Sequence, residues 1–416
     1  MKTEEKSLEI MSYREYKSPK RHQRERSERR RRKDSDVILS PPDRTLLVIL
    51  TFLVIIGFLA IFSATGPKCI REGVNSLTFL VKQVAYAVVG FLAMGFFARF
   101  DYKKLEIFNK KFLWTVIILL LVLQFTPLGV TINGAKRWIN LGLIQLQPSE
   151  FAKPLFCMLF ATLFKNKITM HTFVDNFTST ILPMLIILFL ILKQPNLSMA
   201  IILCVTGFVL YVCAKGPWQP VIAAGAAGGL GVLTMLPKLL HGYQMDRINV
   251  WLNPGSDALG KGYNIIQSLI AFASGGFSGS GYGNSVQKHA YLPECHTDFI
   301  FAIIAEEFGF LGSLFVVGLF VALVHRGFRV ARRCPDMYGK LLAAGIVTVF
   351  GFQAFLNMAV ASSFMPVTGV TLPFISYGGT SIIVSLAMVG ILLNISKQRI
   401  QKLATEQTVG VSNERF

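Results

Sequence analysis

The sequence predicts an all-α polytopic membrane protein of about ten transmembrane helices, with a large extracytoplasmic loop between the seventh and eighth. Three observations carry that expectation. Hydrophobic residues fill 52% of 416 positions, charged residues fill only 16%, and the mean hydropathy is +0.52. Apolar runs recur at 46–64, 78–98, 112–128, 149–164, 179–193, 197–214, 219–240, 298–324, 340–362 and 375–395. About 20 such residues cross a bilayer core as a helix. Lys and Arg are few inside these runs, and the runs do not alternate as the strands of a membrane β-barrel would.

The third observation is where the charge sits. The net charge is +19, and with spans alternating from a cytoplasmic N-terminus, 31 of the 42 Lys and Arg fall on the inner side. That is the bias expected of cytoplasmic loops, and it places both termini in the cytoplasm. Residues 1–45 hold 14 of those cations, including the run Arg29-Arg30-Arg31-Arg32-Lys33. They read as a disordered basic tail against anionic headgroups. The alternative, a nucleic-acid arm, lacks an accompanying fold or interleaved aromatics, so no nucleic-acid partner is expected. The same residues are polar, so no cleavable signal peptide is expected. The chain thus divides into a cytoplasmic tail (1–45), one membrane domain (46–395) and a short cytoplasmic end (396–416). No internal repeat is visible, which argues against an inverted-repeat transporter. The six cysteines form no CxxC pair. Cys157, Cys204 and Cys213 lie in spans as apolar fillers, whereas Cys69 and Cys295 share the outer side, which leaves a disulfide between them open.

Two outer segments stand out: GVTINGAKRWINLGLIQLQ (129–147) and the 57-residue stretch 241–297. Loops of this kind on a rigid scaffold tend to carry function. Lys136, Arg137, Arg247, Lys261 and Lys288 are outside, against the topological rule, with Lys153 and Lys193 just within neighbouring spans. An anionic ligand such as a pyrophosphate explains them; binding to outer-leaflet headgroups is the alternative. Outer carboxylates are sparse. Asp298 stands where the eighth span starts, in YLPECHTDFIFAIIAEE, with an apolar stretch directly after it. Lost hydration there should raise its pKa towards the range of a general base. A carboxylate facing the helix dipole is the alternative reading. Glu306 and Glu307 lie inside the same span and need partners. Glu150 and Lys153 are spaced i, i+3, so they form an ion pair or, near Arg137 and Trp138, one wall of a polar cavity. GGFSGSGYGN (275–284) lacks the spacing and Lys of a phosphate-binding loop and reads as a flexible turn region.

Four segments resemble one known family: GAKRWINLGLIQLQPSEFAK (134–153), NPGSDALGKGYNIIQSLIA (253–271), GNSVQKHAYLPECHTDFIFAIIAEEFG (283–309) and GVTLPFISYGGTS (369–381). They look like the signature segments of the SEDS family (shape, elongation, division and sporulation), and the likeness runs over essentially all ten spans. GNSVQK is typical of the division and sporulation branch. The resemblance implies a peptidoglycan glycosyltransferase that polymerises lipid II at the outer face of the bacterial cytoplasmic membrane, at the division septum. It implies Asp298 as the general base that deprotonates the acceptor 4-hydroxyl, with undecaprenyl pyrophosphate departing. Lys136, Arg137, Lys153 and Arg247 would then hold the leaving group, aided by a divalent metal, Mg or Mn. The matching segments also place Trp138, Glu150, Lys288, Glu294, His296 and Ser376 among the residues expected at the substrate. Two departures stand out. The usual QPDLGT reads QPNLSM here, so Asn196 takes no acid–base role, and the usual GEELG reads AEEFG. A lipid II flippase and a non-catalytic scaffold are the rival readings. No outer segment is large enough for a transpeptidase, so crosslinking calls for a class B penicillin-binding protein, alongside other division membrane proteins. Gly309, Gly312, Gly345 and Gly351 on spans eight and nine are the expected docking stripe for its helix.

Overall fold

The computed structural model describes residues 37–39, 41–132, 135–140, 145–166, 177–217, 249–258, 260, 262–289 and 291–400. Helices dominate it: α1 (Arg44–Arg71), α2 (Thr78–Arg99), α3 (Tyr102–Phe125), α4 (Pro148–Phe164), α5 (Leu182–Lys193), α6 (Leu197–Cys213), α7 (Tyr263–Gly275), α8 (Ile300–Arg333), α9 (Met337–Ala361) and α10 (Gly379–Lys397). Their starts follow from capping chemistry, because the first N–H groups of a helix lack intrahelical partners. Asp43, Asp101, Asn196 and Asp336 accept from Leu46, Lys103, Met199 and Gly339 N–H at the heads of α1, α3, α6 and α9. Pro148 opens α4, where its missing N–H costs nothing.

Nine of the ten predicted spans coincide with helices, and the seventh, 219–240, lies outside the described residues. Among the described residues, α1, α2, α8, α9 and α10 are long and apolar enough to cross a membrane. The apolar window of α10 is 83% buried and that of α9 78%, against 17% for α2, so α9 and α10 form the centre and α2 flanks it. A second apolar cluster joins α3, α4, α5 and α6. At the basic end of the bundle, Asp43 takes Arg326 Nε at 2.8 Å, and Asn394 links the Tyr102 N–H to the Ala98 carbonyl.

Several expectations need correction. β2 (Gly129–Ile132), β3 (Ala135–Asn140) and β4 (Gln145–Leu146) form an antiparallel sheet in that order, where a loop was expected. Val37–Leu39 (β1), read as part of the disordered tail, pairs with Gln398–Ile400 (β5). The stretch 241–297 contains α7, whose Ile265, Ser268 and Ala271 are buried. All six cysteines are unpaired, and Cys69 and Cys295 are buried thiols. The small-residue stripe serves packing inside the chain: an added Cβ on Gly345 would meet Cys157 and Leu210, and one on Gly351 would meet Val324.

The glycine-rich segment 275–284 is not a flexible turn. α8 is interrupted at Gly309, whose φ of 65° and ψ of −162° suit only glycine. The interruption frees backbone groups on either side, and the loop pairs them. Ser280 and Gly281 N–H donate to the Glu306 and Glu307 carbonyls at 3.0 Å, while Phe310 N–H donates to the Gly276 carbonyl at 2.9 Å. A Cβ on Gly309 would strike Gly279 N and the Phe277 carbonyl. Gly309→Ala should therefore lower the thermal midpoint in detergent, with strain of about 1–3 kcal/mol plus the clash. Gly318→Ala in the same helix, where an added Cβ meets nothing within 4 Å, should leave it unchanged.

Candidate active site

At the end of the bundle opposite its basic turns lies a polar cavity of about 560 Å³. Its walls come from six parts of the chain, one of them the β4–α4 junction with Gln145 and Gln147. The last turn of α1 brings Lys68. One face of α2 brings Phe79, Lys82 and Tyr86 at helical spacing. Strand β3 brings Arg137 and Trp138, and the turn before α8 brings Glu294, His296, Thr297 and Asp298. The sixth wall is the segment from Gly369 to Ser381, with Thr371 and Tyr377.

Asp298 is half-buried and lies two residues before α8, whose N-cap is Phe299 without a side-chain cap bond. Its carbonyl accepts the Asn357 amide at 2.8 Å. A Cβ added to Gly369 would stand 3.5 Å from both Asp298 Oδ2 and Arg137 Nη1, so acid and guanidinium flank one glycine. The Arg137 fork is held from behind by the Gln194 and Pro195 carbonyls. Those carbonyls belong to the QPN turn, where buried Asn196 caps α6 without charge.

The Asp298 turn is fastened on both sides. Glu294 adopts φ 53°, and its carbonyl accepts Thr297 N–H at 3.1 Å. Ser376 Oγ donates to the Thr297 carbonyl at 2.6 Å, and Tyr377 N–H donates to the His296 carbonyl at 2.9 Å. Burial pushes the His296 imidazole down to about 4, with nearby Lys68 adding to the effect. It is a neutral ring at physiological pH, set edge-on to Phe79.

The expected site residues separate into three groups. Asp298, Arg137, Trp138, Glu294 and His296 line the cavity together. Ser376, Glu150 and Lys153 stand behind its wall: Lys153 pairs with Glu150 and donates to Gln353 Oε1 at 3.0 Å, and Gln353 donates to the Thr371 carbonyl at 2.9 Å. Lys136 and Lys288 are elsewhere. Lys136 Nζ caps the end of α3 through the Thr126 carbonyl at 2.8 Å, because its side chain points to the other face of β3 from Arg137. Lys288 is buried against Glu307 and Ser63, both at 2.9 Å. Arg247 lies outside the described residues. Lys68, Lys82, Tyr86 and Thr371 were missed. Lys82 carried a signal, since an ionisable residue inside a predicted span points to function.

Among the described residues no group of three or more His, Cys, Asp and Glu side chains is placed to hold a metal ion. Among the described residues, positive charge in the cavity comes from Lys68, Lys82 and Arg137.

The Glu150–Lys153 pair tests the wall. Both side chains are under 5% exposed. Lys153→Met alone strands a carboxylate and should cost about 3–5 kcal/mol, whereas Lys153→Met with Glu150→Leu should recover most of that in thermal melts.

The family model described as "Cell cycle protein", which carries the names FtsW, RodA and SpoVE, matches residues 43–401. "Stage V sporulation protein E" of Bacillus subtilis is 37% identical over 361 residues, covering 86% of this chain and 97% of that protein. "Probable peptidoglycan glycosyltransferase FtsW" of Trichlorobacter lovleyi is 36% identical over 359 residues, covering 86% and 94%. The rod shape determining protein RodA of Thermus thermophilus superposes with a TM-score of 0.62 at 26% identity, over 85% of this chain and 96% of that one. A structure described as "Structural coordination of polymerization and crosslinking by a peptidoglycan synthase complex" gives 0.69 at 29% identity, covering 85% and 97%.

Proposed function

The chain belongs to the FtsW, RodA and SpoVE family of cell cycle proteins, and from that premise we propose that it polymerises lipid II into glycan strands within the cavity around Asp298. The observation that carries this reading is the meeting of Asp298 and Arg137 at Gly369 in a cavity that also holds Lys68 and Lys82. Asp298 takes the proton of the acceptor 4-hydroxyl as that oxygen attacks the donor's anomeric carbon. The bond to the lipid-linked pyrophosphate breaks with inversion, and the leaving group takes the electron pair. Arg137, Lys68 and Lys82 stabilise the charge that develops on it. Neutral His296 adds no charge, and with Trp138 and Tyr86 it offers ring surfaces for sugar faces.

The cavity is assigned to the outer side of the cytoplasmic membrane. Support comes from the opposite end of the bundle, which collects Arg99, Lys103, Arg326, Arg329, Arg332 and Arg333. The described synthase complex supports a partnership with a class B penicillin-binding protein that crosslinks the strands.

Asp298→Asn should leave folding intact and cut polymer formation from labelled lipid II by about 10²- to 10⁴-fold, the usual contribution of a general base. Normal polymer length on a gel would reject the assignment in favour of transport or scaffolding. For topology, an impermeant thiol reagent on intact spheroplasts should label a cysteine at Ser256, which is exposed, and not one at Arg332. Labelling of Arg332→Cys alone would put the cavity in the cytoplasm.

A further inference from the structure

Asp298 sits at the end of a segment, 283–299, that connects the glycine-rich loop to α8. Its downstream end is held by the Ser376, Tyr377 and Asn357 contacts described above. Its upstream end is held by a carboxylate that does not line the cavity. Glu306, three residues before the interruption of α8, is 1% exposed. Its Oε1 accepts Val286 N–H at 2.9 Å, and its Oε2 accepts the Ser285 hydroxyl and, at 3.4 Å, Gln287 N–H. Ser274 of α7 donates to Oε1 at 3.4 Å. The grip is passed on along the chain. Ser285 Oγ accepts Lys288 N–H at 3.3 Å, and the Gln287 carbonyl accepts Leu292 N–H at 2.9 Å. Glu307 holds the Lys288 ammonium from the neighbouring position.

Every group around the Glu306 carboxylate is a donor, so only an acceptor on both oxygens satisfies the site. A charged acceptor also binds backbone N–H groups more strongly than a neutral one. The backbone of Glu306 is itself fixed, since its carbonyl takes Ser280 N–H and Ser280 Oγ. The carboxylate therefore cannot follow the loop if the loop shifts.

We propose that Glu306 is a positioning residue: it clamps Ser285–Gln287 onto the interrupted helix and so sets where Asp298 stands in the cavity. The proposal rests on the reading of Asp298 as the base. Misplacement of a reacting group by about 1 Å costs up to about 100-fold in rate, so loss of the clamp should appear in turnover rather than in substrate binding.

The test compares full-length Glu306→Gln with wild type by two readouts: the rate of glycan formation over a range of lipid II concentrations, and hydrogen exchange of peptides covering 284–299. The substituted amide keeps one acceptor oxygen and turns its NH₂ donor towards either the Val286 or the Gln287 N–H group. The expected result is kcat lower by roughly 10- to 100-fold with KM within about twofold, together with faster exchange in 284–299 and unchanged exchange in α9. Lost activity with unchanged exchange would assign Glu306 a direct part in the reaction and overturn the clamp. Unchanged activity would overturn it whatever the exchange shows. Should Glu306→Gln fail to fold, Ser285→Ala removes the hydroxyl's contacts with Glu306 and with Lys288 N–H and decides in its place, with a smaller rate loss and faster exchange expected. A wild-type protein that makes no glycan would sink the functional reading, and the exchange comparison alone would then judge the clamp.

Discussion

Backbone polar groups cannot be left unpaired at the depth of a membrane, and the interruption of α8 at Gly309 makes that constraint govern the rest of the structure. A helix broken there loses its i→i−4 bonds on both sides of the break. The loop from Gly276 to Gly281 restores them from outside the helix. Side chains longer than hydrogen would hold the two backbones apart, which accounts for glycine at 275, 279 and 309. Docking the loop brings Glu306, Glu307 and Lys288 into the interior, where each must find a partner or be expelled. Glu307, Lys288 and Ser63 satisfy one another, Glu306 is satisfied by Ser285 and the Val286 and Gln287 N–H groups, and together they anchor the segment that leads to Asp298. One broken helix thus determines the course of the 15 or so residues that precede the cavity wall.

The same rule sorts the cations. A Lys or Arg paired inside the protein has no charge to offer a ligand. Lys153 is matched by Glu150, Lys288 by Glu307 and Arg326 by Asp43. Lys68 and Lys82 face the cavity from α1 and α2, and Lys68 stands over the Phe79 ring at 5.1 Å. Arg137 combines both behaviours: its Nε and Nη2 bond the QPN turn, and its Nη1 lies on the side of Gly369 and Asp298. A diphosphate would therefore meet charge that is already oriented, and the cost of fixing that side chain falls on the protein's folding rather than on binding.

Sequence reading recovered the helices it could weigh by apolar length, and five of the residues it singled out share one cavity. Asp298, His296 and Glu294 share one segment, and Arg137 and Trp138 share another, so their grouping was legible without coordinates. What escaped was direction. Lys136 and Arg137 are adjacent, but a strand turns neighbours to opposite faces, and β3 was not read as a strand although the Asn133-Gly134 pair is a hairpin-turn signal. Lys288 looked like an outer-loop cation because its partner, Glu307, lies 19 residues away on a helix whose break no hydropathy profile reveals. The glycine-rich segment was misread for the same reason. Composition reports that glycine allows mobility, whereas here it allows close approach.

Asn196 shows how a departure from a family pattern can be absorbed. An aspartate at that position would cap α6 with a charge; the asparagine caps it through the same acceptor geometry, taking Met199 N–H at 3.4 Å and giving its amide to Ser149. The turn it closes still presents the Gln194 and Pro195 carbonyls to Arg137. Orientation of the guanidinium thus depends on backbone carbonyls and not on the charge at 196. Removing that charge also leaves Glu150 as the carboxylate beside Lys153 and leaves Asp298 and Glu294 as the acids lining the cavity. With His296 neutral and three cations present, the cavity keeps a net positive charge while Asp298 is ionised. That balance suits the base role proposed for Asp298, in which it would take up a proton while negative charge moves from the acceptor oxygen to a departing diphosphate.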